Sequence, residues 1–118
     1  MMTSHNKMAY EYFMAYCLLQ GEIGRFSKYL YRLNEFNYTR VPRHFEEAAL
    51  ICMQVTGRQD ILPSGTKLSE ETVRKFIDFN RILQKYNMNR QKAYPELETK
   101  YKDTYWFYSW YYYHPEEQ

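Results

Sequence analysis

Residues 105–113 read Tyr-Trp-Phe-Tyr-Ser-Trp-Tyr-Tyr-Tyr, eight aromatic rings in nine positions. Each ring can bury on the order of 150–250 Å², and each Tyr or Trp keeps a polar tip. A run of this kind closes the core of its own domain, or else a partner or a second copy covers it. On a helix, Trp106, Trp110 and Tyr113 share one face, Phe107 and Tyr111 a second, and Tyr105, Tyr108 and Tyr112 a third. A helix apolar all round is buried on several sides or sits at an interface. A platform for stacking sugars or bases is the third alternative, though stacking normally needs rings exposed singly beside hydrogen-bonding groups.

The rest of the chain points to a small helical domain. It has 118 residues, the length of one domain, read here as residues 1–118 and as a piece of a longer protein. Only four Gly and four Pro argue against a turn-rich β-sandwich, and 19% aromatic residues argue against disorder. Sixteen basic and fourteen acidic residues leave a net charge of +2, too balanced to announce nucleic acid or an anionic membrane. No run approaches the roughly 18 apolar residues of a membrane span, so no direct insertion by this segment is expected. The first residues, MMTSHNKMAYEYF, lack the basic-then-apolar order of a signal peptide.

Apolar spacing predicts five helices. The first runs from about Asn6 to Gln20 on the face Ala9, Tyr12, Phe13, Tyr16 and Leu19, with Ser4 or Asn6 as cap and Gly21 as stop. A tight turn then makes an antiparallel hairpin with the second, Ile23 to Asn34, whose stripe is Ile23, Phe26, Leu30 and Leu33 with Tyr29 beside it. The third starts near Pro42 and stops at Gly57, with Phe45, Ala48, Ala49, Cys52 and Met53 facing inward. After the loop 57–67, Ser69 caps a fourth helix reaching Asn87, with Val73, Phe76, Ile77, Phe79, Ile82, Leu83 and Tyr86 on a broad apolar side. Asn87 to Tyr94 reads as a polar linker, and Pro95 as the opening of a fifth helix that ends near Tyr112.

Helices one and three start about 36 residues apart, close to the tetratricopeptide period of about 34. The expected architecture is therefore all-α, a tetratricopeptide-like stack of hairpins, with an irregular helical bundle as the alternative. The segments AYEYFMAYCLLQGEIGRFSKYL, VPRHFEEAALI and KYKDTYWFYSWYY resemble the C-terminal soluble tail of a family of uncharacterised bacterial multi-spanning membrane proteins, over roughly Met8 to Tyr113. The resemblance carries no catalytic motif. It implies a soluble tail tethered to a bacterial inner membrane through an upstream region, with the membrane-embedded part of the same polypeptide as one possible partner.

No nucleotide-binding, nucleophile-elbow or zinc-protease motif is present, and no cofactor is implied. His5, His44 and His114 have no His or Cys at ligand spacing, so no metal site is expected. Cys17 and Cys52 read as buried free thiols, with a disulfide between neighbouring helices as the alternative. Glu46/Glu47 and Glu70/Glu71 are adjacent pairs whose side chains diverge, so neither makes an acid/base dyad alone. Arg25, Lys28 and Arg32 share a helix face, near Arg40 and Arg43; a solvated face is the default and an anion or acidic-peptide site the alternative. Asn37-Tyr38-Thr39 matches a glycosylation sequon by chance.

The expected function is a non-catalytic interaction or structural module gripping a protein or peptide through a tyrosine-rich helical face. The candidate contact residues are Tyr10, Tyr12, Tyr16 and Arg43, with Trp106 and Trp110 in the aromatic helix, which also offers a route to homo-oligomers. The rival is a small ligand-binding or enzymatic bundle with its pocket near the 57–67 loop.

Overall fold

The computed structural model describes residues 7–36, 38, 41–58, 61–62 and 66–112. Among the described residues there are six α-helices and no strand. Within the stretch that length assigns to one domain, the chain forms two compact units, Met1–Lys67 and Leu68–Gln118.

The first unit holds α1 (Lys7–Leu19), α2 (Ile23–Tyr29) and α3 (Arg43–Thr56); α1 packs on α2 and α2 on α3. The capping positions expected at Ser4 and Asn6 lie outside the described residues. At the other end of α1, Gly21 (φ 71°) sits in the left-handed region that a helix stop requires. Its N–H donates to the Leu18 carbonyl at 3.2 Å, and the Glu22 N–H to the Cys17 carbonyl at 2.8 Å, so the last carbonyls of α1 are satisfied. Gly57 (φ 74°) stops α3 the same way, donating to the Met53 carbonyl at 2.8 Å.

Two expectations for this unit need correction. The second helix is α-helical only to Tyr29 and continues as a 3-10 helix, Leu30–Phe36. The buried Leu30, Leu33 and Phe36 are spaced by three, and a helix of three residues per turn aligns them on one side. In α1 the inward face is Tyr10, Met14, Cys17 and Leu18, whereas Tyr12, Tyr16 and Leu19 are exposed. Every residue from Met8 to Leu19 except Glu11 is apolar or aromatic, so helical spacing fits several faces equally well.

The core of this unit is aromatic. Tyr10 stacks on Phe36 at 4.7 Å between centroids, and Phe26 meets Phe45 edge-on at 5.5 Å. Ala48 and Ala49 are fully buried, as their small size suits. Cys17 and Cys52 are buried and not in a disulfide, the Cys52 thiol donating to the Ile23 carbonyl at 3.8 Å; burial raises both thiol pKa values, that of Cys52 to about 11. Gly24 lies inside α2, and a Cβ there would meet nothing within 4 Å. Gly24→Ala is therefore expected to raise stability by about 0.5–1 kcal/mol, read from urea unfolding.

The second unit holds α4 (Glu70–Lys85), α5 (Arg90–Tyr101) and α6 (Tyr105–Tyr112); α4 packs on α5 and α5 on α6. The Ser69 hydroxyl accepts from the Thr72 N–H at 3.4 Å, the cap its position predicts. On α4, Phe79, Ile82 and Leu83 are buried, Val73, Phe76 and Tyr86 are half-buried, and Ile77 is exposed, outside the expected face. The single helix expected from Pro95 to Tyr112 is two helices. The Asn89 side chain accepts from the Lys92 N–H at 2.9 Å, so α5 starts inside the expected linker and holds Pro95 in its second turn. Thr104 breaks the run: its hydroxyl donates to the Tyr101 carbonyl at 2.7 Å and accepts from the Phe107 N–H at 3.2 Å, capping α6.

Two carboxylates lace α4 to α5. Tyr101 donates to Asp78 at 2.6 Å, with Lys100 at 3.6 Å and Arg81 also in contact, and these hold the Asp78 carboxyl below its usual range. Glu96 accepts from Lys85 and from the Tyr86 hydroxyl, each at 2.8 Å, and is lowered likewise. A carboxylate lowered by folding contributes its stability above its unfolded pKa and loses it as pH falls through the folded value. The unit is expected to weaken as pH drops from about 5 towards 2. Trp106 and Trp110 are the only tryptophans of the chain and both lie here, so tryptophan fluorescence follows this unit alone. Asp78→Asn combined with Glu96→Gln should make that pH dependence shallower.

Candidate interaction surface

Four large apolar side chains of α1 are exposed: Met8 (69%), Tyr12 (74%), Tyr16 (53%) and Leu19 (56%). At about 100° per residue they fall within an arc of roughly 80° and span about 16 Å along the helix. Ala15, also exposed, lies about 20° outside that arc, on the Met8 side. Scattered exposed apolar residues are ordinary, whereas a contiguous strip of them is a candidate interaction face. The strip exists because α1 is apolar nearly all round and α2 covers only its opposite side.

Neighbouring contacts hold the strip in place. On the inward side, the Tyr10 hydroxyl donates to the Tyr29 carbonyl at 2.9 Å, and burial raises its pKa. At one flank, Tyr38 donates to Glu11 at 2.5 Å, and the Lys7 ammonium lies 4.4 Å from the Tyr38 ring centre. At the other flank, Phe13 meets Tyr29 edge-on at 5.2 Å. Beyond that pair is an open depression of about 460 Å³ between α1 and α2, lined by Phe13, Gly24, Arg25, Lys28 and Tyr29.

The candidate contact residues separate clearly. Tyr12, Tyr16 and Arg43 are exposed. Tyr10 and Trp106 are not surface residues: the first is fully buried and the second 2% exposed, because each fills the centre of its unit's core. Trp110 is half-buried on α6. Met8 was missing from the sequence-derived set; the spacing 8, 12, 16 was its signal, hidden by the equally regular spacing of the buried residues.

The charged residues also differ from expectation. In the basic stripe Arg25 and Lys28 are exposed, while Arg32 is held by Glu35 at 3.0 Å and lies over Phe36; Arg40 lies outside the described residues. Glu46 and Glu47 are buried. Glu47 meets Arg43 at 3.5 Å and His44 at 2.9 Å, so its charge is compensated from the exposed side of its own helix. Among the described residues no group of three or more His, Cys, Asp or Glu is arranged to hold a metal ion. No helix of the described residues is long and apolar enough to cross a membrane. The pocket expected near the 57–67 loop falls on a segment whose positions 59, 60 and 63–65 lie outside the described residues, as do His5, His114, Tyr113 and the Asn and Thr of the sequon.

No curated protein and no solved structure matches the chain. A family model does match, over residues 2–113, nearly its whole length. The chain belongs to that family, a family of unknown function (DUF6057).

Proposed function

We propose that the chain is a non-catalytic interaction module that grips a protein or peptide segment along α1. The observation that carries this reading is the exposed strip Met8–Tyr12–Tyr16–Leu19. Tyrosine is over-represented among residues that dominate binding energy, because it brings large area at little entropic cost. The sequential packing of α1, α2 and α3 is what a tetratricopeptide-like stack would use to present such a face. In this reading the partner can be the membrane-embedded part of a longer polypeptide, as the sequence resemblance implies.

The test is selection of peptides from a displayed random library on the immobilised full chain, followed by binding measurements on Tyr12→Ser/Tyr16→Ser. Both side chains are exposed, so the double variant should keep the parent's stability within about 0.5 kcal/mol per substitution. It is expected to lose the selected peptides by at least about 2 kcal/mol, the threshold of a dominant contact. Equal binding by the double variant would remove α1 as the grip. A second reading, self-association through α6, is favoured by Tyr112, which is 68% exposed and stacks on Tyr108 at 5.1 Å. Sedimentation of the full chain, monomeric or dimeric, decides it.

A further inference from the structure

We propose that the depression between α1 and α2 is a carboxylate-binding subsite, and that the segment docking along α1 is an acidic peptide. The inference rests on the reading of α1 as the partner-facing helix and adds the chemistry of what docks there.

The depression, about 460 Å³, is within the size range of ligand sites, enough to admit a glutamate side chain and the residue beside it. Its walls differ in character. Phe13 and Tyr29, edge-on at 5.2 Å, give an apolar side suited to the methylenes of a long acid or to a neighbouring ring. Arg25 and Lys28 add two positive charges to its lining. Lys28 is exposed and meets no carboxylate among the described residues; its ammonium lies 5.8 Å from the Tyr29 ring centre. Arg25 is held by Glu22 at 3.3 Å, but both are well exposed, and a solvent-exposed pair of this kind is weak enough to exchange for an incoming carboxylate. Gly24 leaves the remaining side bare, with nothing within 4 Å of where a Cβ would stand.

Position favours the same occupant. Phe13 lies about 60° round α1 from Tyr16, so the depression borders the exposed strip. A segment lying on Met8, Tyr12 and Tyr16 brings a side chain to its mouth. An acidic residue there meets the charge of Lys28 and can take Arg25 from Glu22, whereas a basic one is repelled by Lys28.

The probe is a fluorescein-labelled random copolymer of glutamate and tyrosine, with a lysine–tyrosine copolymer as control, titrated with the full chain. The first should bind, more weakly as salt is raised, and the second should not. Lys28→Glu reverses the charge of Lys28, and Gly24→Leu places an apolar side chain on the lining, at a position where a Cβ meets nothing within 4 Å. Each should weaken binding by about tenfold or more while the thermal melt is kept. Lys92→Glu, the same charge change on α5, should leave binding unchanged.

The subsite is overturned if the full chain does not bind the acidic copolymer. It is equally overturned if Lys28→Glu and Gly24→Leu bind like the parent, or if Lys92→Glu weakens binding as much as they do. Loss of binding in Tyr12→Ser/Tyr16→Ser with none in Lys28→Glu sinks the subsite and leaves the α1 grip standing. The reverse pattern supports the subsite and removes the grip.

Discussion

Trp106→Ala should destabilise the Leu68–Gln118 unit by about 3–5 kcal/mol, the usual cost of emptying a large aromatic site. The indole is 2% exposed and joins three rings: Phe76 at 5.2 Å, Phe79 at 5.9 Å and Tyr101 at 6.2 Å. It therefore ties α6 to α4 and α5 at once. Ordinary domains have a net stability of about 5–15 kcal/mol, and small units bury the least surface per residue. Loss of Trp106 should leave this unit partly unfolded at room temperature, read from the fluorescence of the remaining Trp110 in urea. Trp106→Phe should recover much of the loss, because the three ring contacts can partly re-form. Phe76→Ala should cost less than Trp106→Ala, since Phe76 is half-exposed. A loss below about 1 kcal/mol for Trp106→Ala would show that α6 is not part of this core. It would favour the aromatic helix as a pure interface.

Tyr10→Ala should have a comparable effect on the Met1–Lys67 unit, about 3–5 kcal/mol. Tyr10 is fully buried, stacks on Phe36 at 4.7 Å, and donates to the Tyr29 carbonyl at 2.9 Å. It thus joins α1 to the end of α2 and to the 3-10 turn behind it. Tyr10→Phe separates the two contributions. It keeps the stack and removes the hydroxyl, leaving the Tyr29 carbonyl without that donor, which should cost about 1–3 kcal/mol. The reporter is chemical: both cysteines of the chain, Cys17 and Cys52, lie buried in this unit. A thiol reagent should label them slowly in the parent, faster in Tyr10→Phe and fastest in Tyr10→Ala. Parent-like labelling of Tyr10→Ala would mean that Tyr10 does not hold the unit closed.

The sequence by itself determined the helical class and most of the punctuation. Gly21 and Gly57 stop α1 and α3 because only glycine enters the left-handed region cheaply, and Ser69 starts α4 because its hydroxyl reaches a free N–H. These are local effects, complete within a few residues, so they can be read without knowing what lies across the fold. Polar-flanked stripes were legible for the same reason: Phe26, Leu30 and Leu33 are buried as their spacing predicts. Tertiary structure decided what local chemistry left open. In α1 the apolar residues run almost all the way round, and only packing against α2 selected Tyr10, Met14 and Cys17 for the core and Tyr12 and Tyr16 for the surface. The long aromatic helix divided at Thr104, where a side chain competing for backbone hydrogen bonds outweighed uninterrupted apolar spacing. The depression between α1 and α2 joins Phe13 to Lys28, residues of different helices, and a cavity made by two elements has no signature in either.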